Sequence, residues 1–149
     1  MTTAPLARWE RYLTSEDYRY LMQFVQNVKL GFPNDKMLIL YGTGRNGKTT
    51  LIKEICEYLG EENCGDFPDN ILGYDYILGN EKIPKLGIYR DFTEIYEDFT
   101  GMGVGNRKIN VVVNLIKYKQ SLIGETCNLV EVHPRILELS RVINMEYVF

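Results

Sequence analysis

The spacing of hydrophobic residues is helical in the first part of the chain. From Tyr18 to Val28, apolar residues recur every three or four positions, which predicts an amphipathic helix. Thr14 stands at the expected N-cap with Asp17 three residues later, and Gly31 is a typical helix terminator. The sequence therefore predicts a first helix that begins after Thr14 and ends at Gly31.

A short apolar run follows this helix and then gives way to a glycine-rich loop. The run KMLILYG (36–42) is too brief for a helix, and the turn residues before it favour a buried parallel strand. From Lys48 the segment KTTLIKEICEYLG returns to helical spacing, and Gly60 ends the pattern. The order predicted here is strand, loop, helix.

Weaker patterns continue to the end of the chain. A β-branched apolar run from Ile109 to Val113 predicts a strand that closes with Asn114. The other predicted elements are a loop (61–70), one or two strands (70–92), a short helix (92–101), a glycine-rich turn (101–106), a short helix (133–140) and a last strand (140–149). Alternating helices and strands of this kind predict an α/β fold.

The loop YGTGRNGKTTLI (41–52) matches the phosphate-binding pattern G-x-x-x-x-G-K-[ST]. Glycines let backbone N–H groups approach a phosphate closely, and a helix N-terminus adds partial positive charge. Lys48 is expected to reach the β and γ phosphates of ATP, and Thr49 to place its hydroxyl on Mg²⁺. The predicted nucleotide ligands are Gly42, Thr43, Gly44, Arg45, Asn46, Gly47, Lys48, Thr49 and Thr50.

Hydrolysis of ATP also requires a carboxylate near the metal and a group that orients the attacking water. Asp91 ends the apolar run LGIYRDF and is the expected second Mg²⁺ contact, although an N-cap role before the next helix is an alternative. Glu94 is the candidate base, and Asn114 is either a sensor of the γ-phosphate or a turn residue. Rival carboxylates are Asp75, Glu97 and Asp98.

Composition adds little to the fold but constrains the class of protein. The 149 residues predict a single domain, with a helical lead-in (1–34) before a nucleotide-binding core (36–149). Three cysteines without a CxxC pair and one histidine favour neither a disulfide framework nor a zinc site. No apolar run predicts a secretory signal or a membrane span, so we expect a protein of the cytoplasm or nucleus, with no membrane partner.

Charge is distributed unevenly along the chain. The net charge is only −3, yet residues 61–98 hold ten acidic and three basic side chains, whereas residues 107–149 hold six basic and four acidic ones. Local fields govern attraction to phosphates more than net charge does. The basic excess near the C-terminus is compatible with a nucleic-acid face or with a solvated surface of mixed charge.

The stretch LILYGTGRNGKTTLI, with Asn46 before GKT, resembles the phosphate loop of superfamily 3 helicases, the AAA+-related ATPases of DNA viruses, phages and plasmids. IYRDF is similar to the acidic element of that family, although Phe92 replaces its second acid. VVVNL is similar to its sensor element, with Asn114 as the sensor. RILELSRVINMEYVF is similar to its closing segment, with Arg141 in the place of the arginine finger and Arg135 as a rival.

This resemblance implies a P-loop NTPase with a mainly parallel sheet between helices, acting as a hexameric ring on single-stranded DNA. ATP lies at a subunit boundary in such rings, and an arginine of the next subunit completes the site. The turn GMGVGNRK, with Arg107 and Lys108, is either a reduced DNA-gripping hairpin or a plain β-turn. Separate replication proteins of a virus-infected cell are the implied partners.

Three other functions use the same loop. A nucleoside or nucleotide kinase begins with strand, loop and helix, but no arginine-rich lid is evident between Gly101 and Arg135. A genome-packaging or assembly ATPase of a virus binds capsid components in place of replication proteins. A nucleotide-gated scaffold binds ATP and hydrolyses it poorly.

Overall fold

The sheet at the centre of the protein is parallel in every strand pairing that the structure describes. The computed structural model describes residues 6–43, 47–66, 85–89 and 112–145. Its strands are β1 (Met37–Tyr41), β2 (Cys64–Asp66), β3 (Leu86–Tyr89), β4 (Ser121–Thr126) and β5 (Ser140–Asn144). They lie in the order β2-β3-β4-β1-β5. The strand that precedes the glycine loop is therefore central, with β4 on one side and β5 on the other.

Helices cover both faces of this sheet. The described helices are α1 (Ser15–Leu30), α2 (Lys48–Leu59), α3 (112–117) and α4 (Pro134–Glu138), and there are 3-10 turns at Ala7–Arg11, Glu61–Asn63 and Leu129–Glu131. Helices α1 and α2 pack on one face against Leu38 and Leu40 of β1. Helices α3 and α4 pack on the other face against Met37 and Ile39. Since alternate residues of β1 point to opposite faces, the whole run MLIL is buried, as the sequence predicts.

The first helix has the N-cap that the sequence predicts. The Thr14 side chain accepts a hydrogen bond from the backbone N–H of Asp17 at 3.1 Å, and α1 starts at the next residue, Ser15. At its other end Gly31 adopts φ 82, a left-handed conformation that favours glycine. Both ends of α1 are thus specified by local sequence.

We expect Thr14→Ala to lower the free energy of unfolding by about 0.5–2 kcal/mol, the usual cost of removing an N-cap oxygen. Urea unfolding followed by circular dichroism measures the change. Thr14→Ser keeps the acceptor and serves as the control. An alanine variant as stable as wild type contradicts a capping role for the Thr14 hydroxyl.

The N-terminal lead-in is part of the core on the α1 side of the sheet. Trp9 is fully buried, and its indole N–H donates to Glu54 Oε2 of α2 at 3.2 Å. The Arg8 guanidinium also bonds to Glu54, and this carboxylate raises the pKa of Arg8. A single carboxylate on α2 therefore anchors the 3-10 turn that precedes α1.

The predicted strand from Ile109 to Val113 is wrong in its described part. Residues 112–117 form helix α3, in which Val112, Val113, Leu115 and Ile116 are buried against the sheet and Asn114 is exposed. This burial pattern is that of one helix face. Tertiary packing of that face outweighs the β propensity of the valines. Asn114 therefore lies in a helix and does not close a strand.

Two strands lie where the sequence predicted none. Within the predicted loop 61–70, residues 61–63 form a 3-10 turn and Cys64–Asp66 form β2, which pairs with β3. The strand next to β1 is β4, the segment SLIGET that follows α3. The predicted α4 and β5 are both present. Within the described residues, no helix is long and apolar enough to cross a membrane.

Candidate active site

The connection from β1 to α2 forms the centre of the candidate site. Strand β1 ends at Tyr41, and α2 begins at Lys48 directly after Gly47, whose φ of 83 lies in the left-handed region. A β-carbon is disfavoured in that conformation, so glycine suits the N-cap position. The N-terminus of α2, with its partial positive charge, therefore lies at the carboxyl edge of the sheet.

Lys48 is buried, with 8% of its surface exposed. Its ammonium donates a hydrogen bond to the carbonyl oxygen of Gly42, at the start of the loop. A buried ammonium is costly to desolvate, so it is held where polar acceptors face it. The charge of Lys48 is thus kept beside the loop backbone, in the position where a bound phosphate chain is expected.

Strand β4 contributes an acidic residue to the same place. Thr49 Oγ1 donates to the Glu125 carboxylate, with distances of 3.2 Å to Oε1 and 3.3 Å to Oε2. Glu125 pairs in register with Leu40, and the following Thr126 pairs with Tyr41. The Gly42 N–H also donates to the Thr126 carbonyl at 3.2 Å. The end of β4 therefore contacts both the first residue of the loop and the first turn of α2.

Glu125 was not predicted from the sequence. The carboxylate expected at the end of a neighbouring strand was Asp91, after LGIYRDF, and no strand was predicted at SLIGET. The signal lay in SLIGET, an apolar run that ends in an acid between the turn residues of 118–120 and 127–128. The nearby β-branched run VVVN has the stronger strand pattern, and the strand was predicted there.

Several predicted site residues cannot be placed because they lie outside the described residues. These are Gly44, Arg45, Asn46, Asp91, Glu94 and the rival carboxylates Asp75, Glu97 and Asp98. Strand β3, which was predicted to lead to Asp91, is present and ends at Tyr89 beside Gly124 of β4. The other predicted nucleotide ligands are described by the structure and lie at the carboxyl edge of the sheet. They include Gly42, Gly47, Lys48 and Thr49, which come together there, and Thr43 and Thr50, which are exposed.

Asn114 does not lie at the end of a strand, so no strand places it at the carboxyl edge of the sheet. It lies in α3, and the Asn114 carbonyl accepts from the Tyr118 N–H at 2.9 Å as the helix ends. The chain then enters β4 at Ser121, which is the amino end of that strand. Parallel strands present their carboxyl ends together, so the elements before Ser121 approach the opposite edge.

Arg141 lies on β5 and is engaged with α1. Its Nη2 donates to Asp17 Oδ1 at 3.0 Å, and its guanidinium carbon lies 5.2 Å from the Tyr20 ring centroid. Burial raises the pKa of Tyr20, while the nearby Arg141 charge opposes that shift. Arg141 pairs with Leu38, three positions before the end of β1, a separation of about 10 Å along the strand.

The rival arginine, Arg135, is exposed on α4. Its backbone N–H donates to the His133 ring nitrogen Nδ1 at 3.2 Å, which makes His133 the N-cap of this short helix. Neither Arg135 nor Arg141 has a described hydrogen bond to Lys48 or Thr49 of the same chain. Their predicted role in a neighbouring subunit stays a prediction.

The side-chain oxygens at this edge of the sheet are of the kind that binds the metal of a magnesium–nucleotide complex. Mg²⁺ prefers oxygen ligands and is usually held by one or two protein side chains together with phosphates and water. The Thr49 hydroxyl and the Glu125 carboxylate provide such oxygens beside the Lys48 ammonium. The set therefore fits ATP with Mg²⁺ on chemical grounds.

Comparison with known proteins gives matches only at the level of structure. No family model and no curated protein matches the sequence. The branch-migration motor RuvB of Thermotoga maritima superposes with a TM-score of 0.58 at 16% identity, over 91% of this chain and 45% of that chain. The AAA domain of FIGL-1 in complex with ADP gives 0.57 at 9% identity, over 93% and 55%.

A third structure, C. elegans PCH-2, gives a TM-score of 0.56 at 11% identity, over 95% of this chain and 46% of that chain. The chain has an α/β P-loop NTPase fold. It spans about half the length of these structures. None of the three is a superfamily 3 helicase by name, so that membership stays a prediction for this chain.

Proposed function

We propose that this P-loop NTPase binds and hydrolyses ATP with Mg²⁺. The observation that carries the proposal is the meeting of Lys48, Thr49 and Glu125 at the carboxyl edge of a parallel sheet. Open α/β sheets bind ligands at that edge. The helix N-terminus of α2 supplies backbone N–H groups for an anion, and its first residue supplies a full positive charge.

Each side chain has a distinct task in this proposal. Lys48 exchanges its bond with the Gly42 carbonyl for the β and γ phosphates, and there neutralises charge that develops on the transferred group. Thr49 directs its hydroxyl oxygen at the metal. When bound, Mg²⁺ supplies Lewis-acid stabilisation of the phosphate oxygens. The backbone N–H groups at the start of α2 would hold the phosphate chain.

We further propose that the protein acts as a ring-forming motor on single-stranded DNA, of the superfamily 3 type, with separate replication proteins. The phosphate loop of that family motivates this, and one structural neighbour is named a Holliday-junction motor. The same resemblance motivates a subunit boundary at which Arg141 or Arg135 of the next subunit completes the site.

The test is the rate of ATP hydrolysis per subunit across a protein concentration series, with and without single-stranded DNA. A trans arginine contributes roughly 10³- to 10⁵-fold in related phosphoryl-transfer sites, so turnover should rise steeply as rings form. We expect a further rise with DNA. Rates that are independent of both concentration and DNA contradict the motor. Transfer of phosphate to a nucleoside supports the kinase alternative, and stimulation by capsid components supports the packaging ATPase.

Mixing two inactive variants identifies the arginine. Lys48→Ala subunits retain both arginines, and Arg141→Ala subunits retain Lys48, so a mixed ring contains some complete sites. We expect the mixture to recover activity that neither variant has alone. If Arg135→Ala complements and Arg141→Ala alone is fully active, Arg135 is the trans residue. If neither arginine variant loses activity, the proposed shared site is wrong.

A further inference from the structure

We propose that Cys56 and Cys64 form a redox-active pair of thiols that closes reversibly to a disulfide. Cys56 lies in the last turn of α2, and Cys64 is the first residue of β2. The two side chains form a thiol–thiol hydrogen bond in the structure, where both are reduced. The inference is independent of the proposed ATPase activity, because neither residue belongs to the phosphate-binding loop.

Local structure brings these two thiols together. Helix α2 ends at Leu59, and the chain then reverses through the 3-10 turn Glu61–Asn63. The Asn63 side-chain amide donates to the Leu59 carbonyl oxygen at 2.7 Å, which fixes the turn against the end of the helix. Cys64 follows Asn63 directly and pairs with Leu86 of β3, so its position is fixed from both sides. The fold therefore makes this contact, which no CxxC motif signals in the sequence.

The surroundings distinguish this pair from the third cysteine. Cys56 and Cys64 are partly buried and pack against the core cluster that contains α1, α2 and the sheet. Cys127 is exposed and directly follows β4. A small thiol reagent is therefore expected to form an adduct with Cys127, whereas Cys56 and Cys64 can react with each other.

The chemistry of the pair favours one thiolate and one thiol. The hydrogen bond with Cys56 raises the pKa of the Cys64 thiol, and burial adds to this shift. The carboxylates of Glu62 and Glu61 act in the same direction. Cys64 therefore keeps its proton, and Cys56 is the sulfur of the pair that reacts first as a thiolate.

Closure needs an oxidant, and a small disulfide such as oxidised glutathione supplies it in two exchange steps. The Cys56 thiolate attacks one sulfur of the small disulfide, forms a mixed disulfide and releases a glutathione thiolate. Cys64 then gives its proton to that thiolate, its sulfur attacks Cys56 Sγ, and the second glutathione leaves as a thiolate. One small disulfide is reduced while the two protein thiols are oxidised.

The closed bond links two parts of the fold. It joins the last turn of α2, the helix that begins at Lys48, to β2, which lies at one end of the described strand order. Disulfides in reducing compartments are usually transient and redox-sensing, so a bond that opens and closes suits the cytoplasm or nucleus expected from the sequence.

The experiment equilibrates the full chain carrying Cys127→Ser with mixtures of oxidised and reduced glutathione, stops exchange with acid and measures the mass of the protein. The substitution removes the exposed thiol, so that only the pair can react. We expect a loss of about 2 Da, the two hydrogen atoms given up in a disulfide, with no glutathione attached. Cys64→Ser in the same background should retain one glutathione on Cys56, since no second thiol displaces it.

The same titration in urea separates the native contact from nearness in sequence. At a fixed concentration of reduced glutathione, the native protein should need about 10- to 100-fold less oxidised glutathione for half-oxidation than the unfolded chain does. Equal requirements in the two conditions overturn the inference. A native protein that accumulates glutathione adducts without the loss of about 2 Da also overturns it, because the two thiols then fail to react with each other.

Discussion

Replacement of Lys48 by alanine should lower ATP turnover by about 10²- to 10³-fold, the usual cost of removing one donor aimed at charge in a transition state. The reason lies in the geometry of the loop. Lys48 is 8% exposed and its ammonium is already held at the Gly42 carbonyl, so it needs little reorganisation to meet a phosphate. Preorganised charge in a site shielded from water acts more strongly than the same charge in solvent.

The measurement is steady-state hydrolysis at saturating ATP and Mg²⁺, together with the affinity for a fluorescent ATP analogue in EDTA. The Lys48 variant should lose affinity in EDTA as well, because the lysine is expected to contact phosphate and not metal. Lys53→Ala is the matched control, since Lys53 is an exposed lysine on the same helix. A Lys48→Ala protein that hydrolyses ATP at the wild-type rate contradicts a phosphate-binding role for this loop.

Trp9→Ala should lower the free energy of unfolding by about 3–5 kcal/mol, more than Thr14→Ala. This is the usual cost of replacing a buried aromatic residue by alanine. Trp9 is fully buried in the cluster that includes α1, α2 and the sheet. Its removal leaves a cavity and also removes the bond from its indole N–H to Glu54. The Arg8 bond to Glu54 also depends on this turn.

Urea unfolding followed by far-ultraviolet circular dichroism tests this, because Trp9 is the only tryptophan and its fluorescence is lost in the variant. Trp9→Phe keeps most of the volume but not the donor, so it should cost less than the alanine variant. Tyr118→Ala is the control, because Tyr118 is 70% exposed and surface changes usually stay within about 0.5 kcal/mol. A small effect of Trp9→Ala indicates that the lead-in is dispensable for the core.

These two predictions depend on different kinds of information. Lys48 was identified from the loop motif alone, since its spacing from Gly42 and Gly47 and its place between strand and helix are visible in the sequence. Trp9 was not identified as a core residue. A single aromatic residue in a short polar segment has no periodicity, and its burial is decided by helices that follow it in the chain.

The sequence by itself determined the elements whose signals are local. The Thr14 cap, the left-handed Gly31, the buried run of β1 and the loop leading to α2 each depend on neighbours a few residues apart. Local hydrogen bonds and backbone freedom are properties of short segments. They were therefore predicted correctly, together with the α/β P-loop fold that follows from them.

Only the tertiary structure decided which segment lies beside β1 and which acid reaches the site. Residues 112–117 contain valines that favour a strand, yet they form a helix because burying one helical face against the sheet outweighs intrinsic propensity. That choice leaves SLIGET to form β4 and places Glu125 beside Thr49, a contact between residues 76 positions apart. Strand pairing over such a distance depends on the packing of the whole core, which no local pattern of residues contains.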